Sequence, residues 1–197
     1  MGTAEPRKRA LFEQSIKPGA HVFDLGANVG YYSMMASRQA GQTGKIFAVE
    51  PSPRNLEFLN RHIVLNGIKN VQIYPLAISD FNGRASFKAD IDPVAQRLGD
   101  DGNLDVDVQT FDSFFAAQGA GRMDVVKVDI EGAELSFLRG AAETLTRFRP
   151  TVFVETHDRF VPGVHRDCIV FLTELGFQVE EIDDCEILAR PSADQNS

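Results

Sequence analysis

An α/β fold, with a mostly parallel sheet, helices on both faces and a closing antiparallel pair of strands, is predicted by three observations. Short apolar runs at Val22–Leu25, Ile46–Val49, Val71–Tyr74, Val125–Val128 and Val152–Val154 alternate with stretches in which apolar residues recur at helical spacing. Four of these runs give way at their C-terminal ends to a glycine or an acid, namely Gly26, Glu50, Asp129 and Glu155, which is where such sheets bind ligands. The last two apolar runs, Phe177–Ile182 and Glu186–Ala189, are joined across Asp183 and Asp184, a link too short for a parallel crossover.

The elements follow in order. A short helix is expected over Arg7–Ile16, with Leu11, Phe12 and Ile16 facing the core and Lys17-Pro18-Gly19 as its stop. The strand Val22–Leu25 leads through a glycine turn into a helix from Tyr31 to the Gly41–Gly44 region. The strand Ile46–Val49 delivers Glu50, and Pro51-Ser52-Pro53 breaks it and opens a helix carrying Leu56, Leu59 and Ile63, closed by Gly67. After the strand Val71–Tyr74, Asn82-Gly83 is a hairpin signal, with Arg84–Phe87 returning as a strand. Residues 90–102 read as a polar loop, Leu104–Val108 as a half-exposed strand and Phe111–Ala117 as a short helix. The strand Val125–Val128 is followed by a helix using Leu135, Leu138, Ala142 and Leu145. The strand at Val152–Val154 ends in Glu155-Thr156-His157, and a helix with Cys168, Leu172 and Leu175 stops at Gly176 before the final strand pair.

With 197 residues, 43% of them hydrophobic and 24% charged, the chain is expected to form one domain over residues 1–190, with a frayed polar tail from Pro191 to Ser197. A net charge of -8 gives no general attraction to nucleic acid or an anionic membrane, so neither is expected as a partner. No apolar run approaches membrane-spanning length and the N-terminal stretch lacks the apolar core of a secretory signal; a soluble, cytoplasmic protein is expected. Cys168 and Cys185 show no paired-ligand spacing and are read as buried or idle thiols.

The turn after Leu25 has two readings. Gly26 and Gly30 either leave backbone N–H groups open to a ligand at a helix start, or simply permit a tight strand-to-helix turn. Glu50 stands 20 positions after Gly30 at a strand end, a position suited to accepting ribose hydroxyl protons from either NAD or S-adenosylmethionine. The dinucleotide pattern G-x-G-x-x-G fails because Asn28 and Tyr31 stand where glycine belongs, and no P-loop sequence is present.

These pieces resemble a known family. VFDLGANVGYYS, IFAVEPSPRNLEFLNRHIVLN, PLAISDFNGRASF, VQTFDSFF, DVVKVDIEGAELSFLRGA and PTVFVETH, in that order over roughly residues 20 to 158, are similar to the FkbM family of S-adenosylmethionine-dependent methyltransferases. The resemblance implies a class I methyltransferase (Rossmann-like) fold with seven strands and O-methylation of a sugar, polyketide or other metabolite hydroxyl. It implies that Asp24 to Gly30, with Gly26 and Asn28 among them, surround the methionine part of the cofactor and that Glu50 holds the ribose. Ala77, Ile78 and Ser79 would border the adenine, and Asp129 would lie near the methionine ammonium or the transferred methyl; Phe23, Pro51 and Ser52 complete the expected cofactor set.

Three residues are catalytic candidates. His157 is the preferred base because a neutral imidazole can accept a hydroxyl proton near pH 7, with an exposed loop histidine as the alternative. Asp129 faces the cofactor, and Glu131 faces either the substrate or the acidic first turn of its helix. Asp129, Glu131, Glu155 and His157 could alternatively hold magnesium, although no metal-ligand signature is present. Lys127 shares side-chain parity with Asp129 in an apolar strand and requires a neighbouring carboxylate. Only about twenty residues precede Val22, which leaves little for a lid; the acceptor pocket is expected to be open, completed by residues 88–103, or shared with a second subunit in a homodimer. The acceptor is expected to be a small molecule or a glycan. Two alternatives remain at this level: a module that binds the cofactor without transferring methyl, and a nicotinamide oxidoreductase.

Overall fold

Seven strands in the order β10-β11-β9-β8-β1-β2-β3 form the main sheet of the computed structural model, which describes residues 4–89, 97–98 and 102–192. They are β1 (His21–Leu25), β2 (Lys45–Val49), β3 (Val71–Tyr74), β8 (Val125–Val128), β9 (Thr151–Glu155), β10 (Phe177–Glu181) and β11 (Glu186–Pro191). Only β11 runs against its neighbours, pairing antiparallel with both β9 and β10, as the short link at Asp183-Asp184 requires. The chain moves outward from β1 to β3 and then returns to the other side of β1 at β8, so the topological switch lies between β1 and β8.

Alternation along the strands divides the core into two layers. Phe23, Leu25, Val126, Val128 and Val152 face the helices α4 (Phe111–Gln118), α5 (Glu134–Gly140), α6 (Ala142–Phe148) and α7 (Val164–Glu174). Val22, Val125 and Phe153 face α1 (Ala4–Ser15) and α2 (Tyr31–Ala40). Phe12 of α1 packs edge-on to Tyr32 and Phe153, with ring centroids 5.1 and 5.4 Å away, so the N-terminal helix closes this second layer. The helix α3 (Pro53–Leu65) begins at the expected proline and lays Leu59 on the sheet.

Four local expectations are corrected. The turn at Asn82-Gly83 does not join two paired strands: β4 (Ala77–Ser79) and β5 (Gly83–Lys88) lie on opposite sides of β7 (Leu104–Thr110), in a second sheet ordered β4-β7-β5-β6. Asn82 instead accepts a hydrogen bond from the Thr110 N–H (2.9 Å) and donates to Ser113 Oγ (3.2 Å), fastening the start of α4. Within the expected loop 90–102, Arg97–Leu98 form β6, paired with β5; residues 90–96 and 99–101 lie outside the described residues. The single helix expected after β8 is two, broken at Ala141, because Gly140 seats directly against β4, where an added Cβ would stand 2.2 Å from the Ser79 carbonyl oxygen. Asp112 then accepts from the Thr144 N–H (2.8 Å) and satisfies the restart. Pro191, expected in the tail, pairs with Phe177 in β11, and residues 193–197 lie outside the described residues. No described helix is long and apolar enough to cross a membrane.

The tightest backbone approach lies at the switch point. A Cβ on Gly26 (φ +73°) would stand 1.8 Å from the Asp129 carbonyl oxygen, so the turn after β1 can rest against the end of β8 only without a side chain. Gly26→Ala is therefore expected to lower stability by about 2–4 kcal/mol through overpacking and backbone strain. Gly67→Ala, also at positive φ (+63°) but with nothing within 4 Å, isolates the conformational part. That part should cost about 1 kcal/mol in urea unfolding. Equal losses in the two variants would show that the Asp129 contact does not constrain the turn.

Candidate active site

The first turn is built for protein packing. Gly26 and Ala27 N–H groups both donate to the Val49 carbonyl (3.0 Å each), and the Gly30 N–H donates to the Ala27 carbonyl (2.8 Å). The missing side chain at Gly30 makes room for Leu59, as that at Gly26 does for Asp129. Of the two readings of these glycines, the tight-turn reading therefore holds, and neither N–H is offered to a ligand. Asn28, in the left-handed region at φ 51°, points its own N–H at Glu50 Oε2 (2.8 Å).

Glu50 is buried at the end of β2. Its Oε1 accepts from the Ser52 N–H (2.9 Å) and Asn55 Nδ2 (3.3 Å). With both Oε1 lone pairs used and one on Oε2 taken by Asn28, one acceptor site remains on Oε2, not the two needed for both hydroxyls of a ribose. Burial raises the Glu50 carboxyl above its ordinary pKa, with these three donors and Lys127 opposing.

Gly26, Asn28, Glu50, Pro51, Ala77, Ile78, Asp129 and Glu131 line one cleft. Its apolar end is made by Leu76, Ile78, Phe87 and Leu98, so the second sheet supplies a wall of it. Five expected cofactor residues stand elsewhere. Phe23 stacks on Phe47 in the core (4.4 Å between centroids), and Asp24 is buried below the turn. Gly30 packs on Leu59, Ser52 caps α3 through the Asn55 N–H, and Ser79 lies against Gly140. Asn55, Phe87, Ile130 and Ala133 line the cleft without having been read from sequence, and Leu98, from the stretch expected to complete an acceptor pocket, lines this cleft instead. Asn55 alone carried a signal, as a polar residue one turn after the helix-capping Ser52.

Beside this cleft lies a second, open cavity lined by Asn28, Asp129, Glu131, Glu155, Thr156, His157, Asp158, Arg159, Asp184 and Cys185. Under its floor run two buried cations. Lys127 lies between Asp24 (3.3 Å) and Asp129 (3.4 Å) and donates to the Gly26 carbonyl (3.2 Å), which supplies the partner its parity required. Lys8, reaching in from α1, pairs with Glu155 (2.5 Å) and Glu186. Both ammonium groups also sit over the Tyr32 ring, 5.4 Å (Lys8) and 5.2 Å (Lys127) from its centroid. Burial works against each charge, but Glu186 and Glu155 around Lys8, and Asp24 and Asp129 around Lys127, outweigh it and raise both lysines above their ordinary value. Burial pushes the Glu186 carboxyl up to about 8, with Lys8 opposing. At Asp129 burial is overcome by Lys127, Lys8 and His157, which hold its carboxyl below the usual range.

His157 is not an exposed loop histidine: it is 8% accessible, with Nδ1 2.7 Å from Glu134 Oε1. Its Nε2 faces Glu131 (3.4 Å), Asp129 (3.7 Å) and Glu155 (3.9 Å). Burial favours the neutral ring, yet the bond to Glu134 and the charges of Glu131, Glu134 and Asp129 raise its pKa above 6.5. Glu131, at φ 50°, turns toward the second cavity and pairs with Arg159 (2.8 Å); burial raises its carboxyl, with His157 and Arg159 opposing. Asp129, Glu155 and His157 bring ligand-type atoms within 4.8 Å of one another. The group does not suit magnesium, because an imidazole is a poor ligand for so hard a cation. Both cysteines are free; burial pushes the Cys168 thiol up to about 12, and partial desolvation with the hydrogen bond to Asp183 raises that of the more exposed Cys185 to about 12 as well.

Comparison with known proteins agrees with this geometry. Residues 24–179 match the model of the methyltransferase FkbM domain. Methyltransferase sdnD of Sordaria araneosa is 26% identical over 193 residues, covering 80% of this chain and 73% of that protein. The 2-O-methyltransferase NoeI of Sinorhizobium fredii is 24% identical over 163 residues, covering 73% and 65%. The crystal structure of methyltransferase FkbM from Methylobacillus flagellatus KT superposes with a TM-score of 0.58 at 15% identity, covering 92% of this chain and 50% of that one. This chain thus spans about two-thirds to three-quarters of those two relatives and half of that solved chain. A seven-stranded sheet with its switch point at Gly26 and Asp129, and a family match that runs through both, establish that the chain belongs to the FkbM family of methyltransferases.

Proposed function

We propose that the chain is an S-adenosylmethionine-dependent O-methyltransferase acting on a polar, hydroxyl-bearing small molecule or glycan. The observation that carries this reading is the wall of Asn28, Asp129 and Glu131 shared by the two cavities. A donor in the first cleft and an acceptor in the second would meet across it.

The residues of the first cleft fit the cofactor. Leu76, Ile78, Phe87 and Leu98 offer an apolar slot for a purine, the remaining Oε2 site of Glu50 can take one ribose hydroxyl, and the ionised Asp129 suits an ammonium. When bound, S-adenosylmethionine supplies a methyl group already activated on a sulfonium, so the protein's task is alignment and proton removal. In the second cavity none of the ten lining residues carries a hydrocarbon side chain, which favours a sugar over an apolar polyketide as acceptor. The name of NoeI, a 2-O-methyltransferase, supports oxygen as the atom methylated. The chain's net charge of -8 argues against a nucleic acid acceptor.

His157 is the base in this reading. Its Nε2 opens on the acceptor side and can take the hydroxyl proton once the ring is neutral. Because its pKa is raised, the competent neutral form is scarce in acid and accumulates as pH rises through a midpoint above 6.5.

Two outcomes test the reading. Glu50→Gln should weaken S-adenosylmethionine binding by about ten- to a hundredfold in calorimetry, the worth of a hydrogen bond to a charged group. Wild-type affinity should fall on acidification, as the raised Glu50 carboxyl takes up a proton and loses its acceptor. Unchanged affinity in the variant would remove Glu50 from the site. His157→Ala should lower methyl transfer to a sugar acceptor by about a hundredfold or more while leaving cofactor affinity as it was. Wild-type turnover should rise with pH through the His157 midpoint. Tight cofactor binding by the wild-type chain with no transfer to any of a panel of sugars and other hydroxylated acceptors would instead identify a module that binds the cofactor without using it.

A further inference from the structure

Glu134 is buried at 0% accessibility, yet no lysine or arginine pairs with it among the described residues. It opens α5, and both of its hydrogen bonds go to one oxygen: Oε1 accepts from the Gly132 N–H (2.8 Å) and meets His157 Nδ1 at 2.7 Å, while Oε2 is buried with no hydrogen-bond partner. An unpartnered oxygen of this kind costs about 1–3 kcal/mol. Packing alone would be better served by an apolar residue.

The proton in the Glu134–His157 contact can be placed. Oε1 receives the Gly132 N–H, and as a carboxylate oxygen it can only accept, which assigns the hydrogen between it and Nδ1 to the imidazole. A neutral His157 therefore carries its lone pair on Nε2. That nitrogen makes no hydrogen bond among the described residues and opens on the second cavity. The ring is steadied from its face by Phe160, stacked at 27° with centroids 6.2 Å apart. Other charges face the ring from each neighbouring element. Asp129 and Glu131 stand after β8, and Glu155 at the end of β9. These three are partly neutralised by Lys127, Arg159 and Lys8 respectively, whereas Glu134 has no such counterion among the described residues.

We infer that Glu134 is a positioning residue for methyl transfer, holding His157 as the Nδ1–H tautomer with Nε2 turned to the acceptor hydroxyl. The inference rests on the reading of His157 as the base. In the step it serves, His157 Nε2 takes the hydroxyl proton as the new O–CH3 bond forms and the S–CH3 bond breaks. The products are the methyl ether, a neutral thioether and an imidazolium whose Nδ1–H stays on Glu134. The imidazolium then returns its proton to solvent through the cavity.

The test combines imidazole NMR with a pH profile. In the wild-type protein above the His157 midpoint, nitrogen-15 shifts should report Nδ1–H with an unprotonated Nε2; the opposite tautomer would overturn the proposal without any variant having to fold. In Glu134→Gln the amide oxygen can keep the bonds from Gly132 and His157 while the charge is lost. The His157 midpoint should then fall, the acidic limb of kcat/KM should move down by the same amount, and the plateau should drop by about tenfold or more, with cofactor affinity unchanged. A Gln variant that titrates and turns over like wild type would assign Glu134 to folding alone. Should His157→Ala retain full turnover, the base reading fails on its own, because the tautomer measurement still reports what Glu134 does to the ring.

Discussion

A single buried ammonium sets the geometry on which both cavities depend. Lys127 is 3% accessible in a central parallel strand, where an unpaired charge could not be sustained. Its partners are placed by backbone arithmetic. Asp24 is its register neighbour across β1 and β8, and Asp129 is two residues on, just past the end of β8. The bond to the Gly26 carbonyl adds the turn itself. One cation thus ties together the strand that precedes the turn, the turn, and the acid at the rim. Asp129 is held ionised as a result, and the wall between the cavities takes its position from the pair.

How much of this was legible in the sequence depended on whether the signal was local. The main-sheet strands could be read because alternation and length are properties of a few residues, and Lys127 because parity along one strand already demanded a carboxylate. Glu50 and Asp129 were legible as acids at strand ends. The glycines were visible, but their purpose was not: Gly26 answers to Asp129 and Gly30 to Leu59, partners that only the fold supplies. The same holds for Asn82-Gly83, whose turn chemistry is genuine although the strand it leads into pairs with β7. Lys8, Glu134 and Phe87 escaped notice as site residues because each resembles an ordinary helix, loop or strand residue until the chain brings it to the site.

The wall between the cavities also concentrates backbone strain. Asn28 and Glu131, neither of them glycine, both occupy the left-handed region, at a cost of about 1–2 kcal/mol each. Both are tied to neighbouring side chains. The Asn28 N–H is fixed on Glu50, and Glu131 is followed by Gly132, whose N–H is fixed on Glu134, while its carboxylate is pinned by Arg159. Strain at these two positions turns the chain away from the strand direction and leaves the rim side chains facing into the cavities.

The pairing of Lys8 has a consequence for how the site is held together. Its bonds to Glu155 and Glu186 span 147 and 178 residues, so they close the longest loops of the buried charge network. A loosened α1 would leave Glu155, on the rim of the second cavity, without its lysine. The acceptor side of the site therefore depends on a helix that lies far from it in the sequence.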